Sequence, residues 1–156
     1  MSEFFVTNRD VIKNFSINTG TTQAPVYTKL CTTSELTLST DFTNQTFFVF
    51  CDAIQRSINT GVAITIDGTV EIDANNTAVQ KVLTNLGTLI SSGAIAQFNN
   101  IKCKFDLLTG VNNGVLTYTT YICDANFSLE SLGGSAEGVG EFSISLTING
   151  TGTVSA

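Results

Sequence analysis

The side chains with the most chemical potential in this sequence are carboxylates. Asp67, Glu71 and Asp73 recur at odd positions within AITIDGTVEID, residues 63–73. Acids grouped this way can hold a hard cation, or divide the acid and base roles of glycoside hydrolysis. Their spacing, however, is that of strand alternation and not of a calcium loop. A sugar site also needs aromatic platforms, and the chain has no tryptophan and only three tyrosines. There is no histidine, so no Ser-His-Asp or Cys-His arrangement exists. Cys31, Cys51, Cys103 and Cys123 lie far apart without a C-x-x-C pair, which argues against zinc. Buried free thiols are the expectation for them, with disulfides as the alternative. Gly133, Gly134, Gly138 and Gly140 are not followed by a helical pattern, so they do not form a phosphate loop. The reading is a protein with no catalytic residues, no metal and no cofactor, whose acids form a charged stripe.

Composition narrows the classes further. Of 156 residues, 42% are apolar, enough for one folded domain with a real core. Only 13% are charged, about half the average for a soluble domain. Thr, Ser, Asn and Gly take their place, with 24 threonines alone. So little surface charge is tolerable where much of the surface meets other subunits. The net charge is −6, and after Lys104 no basic residue follows while Asp106, Asp124, Glu130, Glu137 and Glu141 do. Nucleic-acid binding rests on Lys and Arg neutralising phosphates, and seven scattered bases are poor material for it. The N-terminus has no basic region followed by an apolar run, so no secretory signal is expected. No apolar run approaches the ~20 residues of a membrane-crossing helix, so no membrane insertion is expected.

The elements that must position the acids are mostly strands. In residues 63–73, Ile64, Ile66, Val70 and Ile72 alternate with Thr65, Asp67, Thr69, Glu71 and Asp73. Residues 27–40, 101–107 and 141–149 alternate likewise, and a short strand is expected around residues 15–17. The Asn112-Asn113-Gly114 triplet predicts a hairpin turn. Apolar parity changes along residues 115–132, which predicts a β-bulge near residues 121–124. One stretch is helical: TAVQKVLTNLGTLISS, residues 77–92, places Val79, Val82, Leu83, Leu86, Leu89 and Ile90 on one face. Thr77 and Gln80 have capping-box spacing, Gly93 suits the C-terminal cap, and Gly87 implies a close neighbour. The polar face of this helix is either Thr-rich like the rest of the chain or meets a partner. Residues 20–25, GTTQAP, read as a linker.

Five or six such strands and one amphipathic helix predict a mainly β fold, a two-sheet sandwich flanked by the helix. The expected single domain, 1–156, has an N-terminal arm (1–25) and a C-terminal tail (150–156) that is mobile or ordered by a neighbour. Phe42, Phe47, Phe48 and Phe50 crowd without alternation into DFTNQTFFVF. Alone, the run reads first as a strand buried on both faces, and second as a hairpin whose apolar tip docks on another chain. The strand margins are Thr-rich and nearly uncharged, and the chain has one proline, so the usual guards of a free edge are missing.

The order of LCTTSELTLSTDFTNQTFFVFCDAIQRS, AITIDGTVEID, NNTAVQKVLTNLGTLI, LLTGVNNGVLTYTTY and SLGGSAEGVGEFSISLTINGTG resembles the major tail (tail tube) proteins of siphophages, the long non-contractile-tailed bacteriophages. The resemblance spans about residues 30–152. It implies a structural virion protein assembled in the bacterial cytoplasm. Six copies would close into a ring with a continuous inner β-barrel, and rings would stack into a hollow tube that conducts the genome. It implies tail tip, tape measure and terminator proteins as partners, and non-adhesive passage of double-stranded DNA. The expected channel-lining residues are Glu35, Asp67, Glu71, Asp73 and Glu141, with the lining face left open between strand sides. The resemblance implies a projecting inter-ring segment at about residues 39–61, helped by the N- and C-terminal arms, and moves the Phe-rich run toward docking, with Phe42, Phe47, Phe48 and Phe50 as inter-ring contacts. The alternative is a carbohydrate- or ligand-binding β-sandwich module of a larger particle.

Overall fold

Alternation lays out most of the chain as strands, and tertiary pairing makes them longer than their sequence patterns. The computed structural model describes residue 3 and residues 5–154. Its elements run β1 (Ile12–Asn18), β2 (Tyr27–Lys29), β3 (Thr33–Val49), β4 (Asp52–Glu71), α1 (Thr77–Ser92), β5 (Ile101–Asn112), β6 (Val115–Leu132) and β7 (Glu141–Val154). The fold is mainly β with one helix. Seven strands form, more than expected, because the 27–40 stretch breaks at Leu30 into β2 and β3. They make one antiparallel sheet in the order β2-β1-β5-β6-β7-β4-β3. The two layers expected from the sequence are two parts of this continuous sheet, curled so that β1 and β2 approach β3. The turn between β2 and β3 fastens the curl. Leu30 N–H donates to the Phe15 carbonyl (2.9 Å), while Glu71 N–H donates to the Thr32 carbonyl (3.0 Å).

The core lies inside the curl. Phe15 and Ile17, Cys103 and Phe105, Cys123, Ala125 and Phe127, Phe142, Ile144 and Leu146, and Ile66 and Val70 converge from five strands. Helix α1 closes one end with Ala78, Val79 and Val82, all buried. Its N-cap is Asn76, one residue earlier than expected. The Asn76 Oδ1 accepts from Ala78 N–H (2.9 Å) and Val79 N–H (3.3 Å), which a shorter threonine at position 77 is already too far into the helix to do. Gly93 does end the helix, at φ +72°, with its N–H on the Leu89 carbonyl (2.8 Å). Two expectations fail at the outer surface. Ile90 is exposed, and a Cβ on Gly87 would meet nothing within 4 Å. The polar face is partly used by the chain itself, since the Lys81 ammonium donates to the Asn18 carbonyl at the end of β1.

The segment read as a linker is stapled. Asn18 Oδ1 accepts from Gly20 N–H (2.9 Å) and Val26 N–H (3.0 Å), and its Nδ2 donates to the Thr21 carbonyl (3.2 Å). A Cβ on Gly20 would lie 2.5 Å from the Ala24 carbonyl oxygen, so only glycine fits. The expected bulge is present, as the β6–β7 register shifts between Ile122 and Asp124. The C-terminal segment is not a free tail: β7 runs on through Val154, with Thr153 opposite Ile122 and Val154 opposite Tyr121. The ends of the expected arm and tail, at Met1, Ser2, Phe4, Ser155 and Ala156, lie outside the described residues.

The outer face of β1 and β5 holds a polar knot. Asn14, at φ +56° in a register shift of β1, donates through Nδ2 to Asp106 Oδ2 (2.7 Å), and Thr120 Oγ1 donates to Asp106 Oδ1 (2.5 Å). Burial works to raise the Asp106 pKa. The Thr120 and Asn14 hydrogen bonds, helped by Lys104 and Lys29, outweigh it and hold the carboxyl below its ordinary value. A depressed carboxylate stabilises the fold above its unfolded pKa, near 3.9, and that contribution is lost as pH falls through the folded value. Denaturant melts from pH 6 to about pH 2.5 on Asp106→Asn should therefore show a shallower acid loss of stability than the native chain. Equal acid slopes would show that the knot contributes nothing.

Candidate functional site

Two surfaces stand out, and both belong to the β6-β7-β4-β3 part of the sheet. The first is a carboxylate face. Ile66, Val70, Phe142, Ile144 and Leu146 point into the core, so their strand neighbours point away from it. Register then fixes who meets whom on that outward face. Glu35 is opposite Thr69, Thr37 is opposite Asp67, and across β4 Asp67 faces Ser145, Thr69 faces Ser143 and Glu71 faces Glu141. Glu35, Asp67, Glu71 and Glu141 are thus brought to one face. Asp73 is not among them. It lies past the end of β4, where its Oδ1 accepts from Asn75 N–H (3.0 Å) and its carbonyl from Asn76 N–H (3.0 Å), opening the turn into α1.

Glu130 joins this face unannounced, sharing a shallow depression with Glu35, Thr37, Asp67, Thr69 and Ser143. Its signal was present in the sequence, since Phe127 and Leu129 alternate inward and leave residue 130 outward. The face otherwise carries Ser, Thr and Asn. Across β3, β4, β6 and β7 the one basic residue is Arg56, far out on the β3–β4 hairpin. Lysines 13, 29, 102 and 104 all sit on β1, β2 and β5. Charge is therefore segregated across the sheet.

The second surface is the β3–β4 hairpin. β7 pairs with β4 only from Thr65 to Glu71, so beyond Ile64 the hairpin has no third strand among the described residues. At about 3.3 Å per residue, residues 40–49 carry it roughly 30 Å past the sheet. Its register shifts between Thr43 and Asn44 and again between Phe47 and Val49. Phe42, Phe47, Phe48 and Phe50 all lie on this arm. Phe48 is 66% exposed and Phe50 fully so, and Ile54, Ile58 and Val62 are exposed beside them. The reading of this run as a strand buried on both faces is overturned, because among the described residues no layer reaches so far. A two-stranded ribbon is marginal alone, and this one shows apolar side chains that its own chain leaves uncovered.

The sub-sheet also has two open backbone margins. Among the described residues β3 has a partner only in β4. On β6, β5 pairing stops at Ala125 opposite Ile101, so residues 126–132 have β7 on one side and, among the described residues, no strand on the other. Neither margin carries lysine or proline. Among the described residues no group of three or more His, Cys, Asp or Glu is placed to hold a metal ion. No helix among them is long and apolar enough to cross a membrane. Contrary to the expectation of four buried thiols, Cys31 and Cys51 are exposed in turns, while Cys103 and Cys123 are buried.

No protein-family model matches the chain, and no curated protein does. Solved structures do. The SPP1 tail tube, determined by solid-state NMR and cryo-electron microscopy, matches with a TM-score of 0.59 at 17% identity, over 90% of this chain and 74% of that one. A chain of the native gene transfer agent virion matches at 0.53 and 10% identity, over 92% and 96%. The tail of the empty gene transfer agent particle, refined with C6 helical symmetry, matches at 0.54 and 8% identity, over 97% and 100%. The chain has the tail-tube fold. At these identities the likeness is one of fold alone.

Within the tail-tube fold the acid face has an energetic signature that can be measured. Glu71 and Glu141 are directly opposite on adjacent strands, an arrangement that repels. Glu141→Gln should raise the melting temperature of the isolated subunit at low salt, and the gain should shrink as salt rises to about 1 M, where the screening length is ~3 Å. A salt-independent change, or none, would show that the two carboxylates do not interact.

Proposed function

We propose that this chain is a structural, non-enzymatic subunit of a virion tail tube, in which copies close into hexameric rings and the rings stack into a DNA conduit. The observation that carries the reading is the β6-β7-β4-β3 sub-sheet, with an open backbone margin on each side and a face of acids without bases. Ring closure gives each margin a partner, β3 of one copy beside residues 126–132 of the next. Strands lie about 4.8 Å apart, so four strands from each of six copies give a circumference of at least about 115 Å and a diameter of at least roughly 37 Å between backbones, both growing with strand tilt. Barrels of about 16–18 strands already enclose an aqueous channel, so such a barrel is open. Sixfold closure is favoured by the C6 symmetry of the empty gene transfer agent tail.

In this arrangement Glu35, Asp67, Glu71, Glu130 and Glu141 line the bore, while Asp73 sits at the helix entry. Carboxylates repel phosphates within a screening length of about 8 Å at physiological salt, which keeps the duplex from adhering. A basic lining would bind DNA by counterion release and stall it. The arm reaches the neighbouring ring, and Phe42, Phe47, Phe48 and Phe50 lose their exposure there. Tail tip, tape measure and terminator proteins are the further partners this role implies, with assembly in the bacterial cytoplasm.

Negative-stain images of the concentrated protein should show rings or tubes, and Phe48→Ala or Phe47→Ala should suppress stacking. Because these side chains are exposed, the melting free energy of the subunit should change by only about 0.5 kcal/mol. A loss of roughly 3–5 kcal/mol would mark them as core residues. A strict monomer at millimolar concentration in every salt tested would overturn the assembly reading.

The lining assignment has its own test. Particles built with Asp67→Lys plus Glu71→Lys should form tubes of normal length, yet deliver DNA at least tenfold less often in an infection or transfer assay. Normal delivery would mean that this face does not meet the DNA.

A further inference from the structure

The two buried thiols are placed for each other. Cys103 on β5 and Cys123 on β6 are directly opposite, inside an unbroken run of register from Ile101↔Ala125 to Leu108↔Tyr118. Opposed residues on antiparallel strands share a face, with Cα atoms about 4.5–5.5 Å apart. Disulfides form at Cα separations of about 4.4–6.8 Å, a range that includes the spacing of opposed residues such as these. Cys103 is wholly buried and Cys123 6% exposed. Cys123 also lies where the β6–β7 register shifts, between Ile122 and Asp124, so its strand is less constrained on that side. It lines an apolar groove of about 560 Å³ with Leu38, Val62, Ile64 and Phe105, which gives a small oxidant a way in. Gly152 on β7 keeps room for the sulfur, since a Cβ there would lie 2.6 Å from Cys123 Sγ.

We propose that Cys103 and Cys123 form a cross-strand disulfide in this subunit under oxidising conditions, bracing β5 against β6. A low-molecular-weight disulfide such as oxidised glutathione supplies the oxidising equivalents. The Cys123 thiolate attacks one of its sulfurs, its S–S bond breaks, and one glutathione leaves as thiolate. The Cys103 thiolate then attacks Cys123 Sγ, expelling the second glutathione. Two protein protons pass to solvent or to the departing thiolates. The protein pair is oxidised by two electrons while one glutathione disulfide becomes two glutathiones. Burial pushes both thiols up, Cys103 to about 12, with the Cys123 and Asp124 charges adding to it. Closure is therefore slow near neutral pH and accelerates as pH rises, because the thiolate is the attacking species. The inference does not depend on assembly, since both residues belong to one subunit.

The test uses the full chain carrying Cys31→Ser and Cys51→Ser, which leaves only the pair. It is incubated with oxidised glutathione near pH 8.5, about the pKa of a free thiol, then denatured and treated with a maleimide. The expected product has lost the mass of two hydrogens and takes up no maleimide. Trypsin, cutting after Lys102 and Lys104, should leave the Cys103–Lys104 dipeptide joined to the 105–156 fragment. Dithiothreitol should restore both thiols, and the oxidised form should melt at a higher temperature than the reduced one. The native chain, mapped the same way, should show the same linkage. Two maleimide adducts after prolonged oxidation, or glutathione held on Cys123 without transfer to Cys103, would overturn the proposal.

Discussion

Every backbone amide and carbonyl needs a partner, and a curled antiparallel sheet can satisfy all but those at its margins. The arrangement of this protein follows from where those margins fall. One end of the sheet is β2, only three residues long and held by the Asn18 staple and the Leu30–Phe15 hydrogen bond. The other end is β3, seventeen residues long and open along its outer side. A third margin appears where β5 stops short and leaves the far part of β6 with one neighbour. A short edge tied down by side chains is a guarded one. A long, threonine-rich edge without lysine or proline is an invitation to pair, and the proposed ring is the closed solution that satisfies it without open-ended aggregation.

The side chains are sorted consistently with that reading. The curl sends the large apolar residues of β4 and β7 inward, so their alternating neighbours are left on one outward face. These are acids, serines and threonines, while four of the five lysines lie on β1, β2 and β5, where they meet Asp10, Asp106, Asp124, Tyr27 and Tyr118. Lys13 lies 4.6 Å from the centre of the Tyr118 ring, and Lys102 pairs with Asp124 at 3.3 Å. Such exposed pairs add little stability. Their effect is to leave the acid face without nearby cations, and a face of that kind repels phosphate where a mixed one would not.

The β3–β4 arm extends the same logic beyond the sheet. In most proteins a ribbon with phenylalanines on its surface would fold back on its own core. Here register shifts and the early end of β7 pairing carry it away from the core. The energy of covering those rings is thus withheld from the subunit and becomes available for contact with another. Low overall charge fits the proposed assembly, since surfaces packed against sister copies would need little solvation of their own.

Much of this was legible in the sequence. Strict alternation around Ile66 and Val70 and around Phe142 and Ile144 located β4 and β7 and their outward acids. The three-and-four spacing from Val79 to Leu89 located the helix, and Gly93 its end. Asn112–Gly114 placed the hairpin turn. Those features are local: each depends on side-chain period or on one residue's φ, which sequence carries directly. What the sequence left open were matters of long-range pairing. It did not separate β2 from β3, extend β7 through residues 150–154, exclude Asp73 from the acid face, or set Cys103 across from Cys123. It read the Phe-rich run first as buried, because hydrophobicity alone does not say whether a second layer is within reach. Only the tertiary structure decided these, since register and curl come from strands distant in the chain, and they determine which apolar residues find cover and which backbone margins stay open.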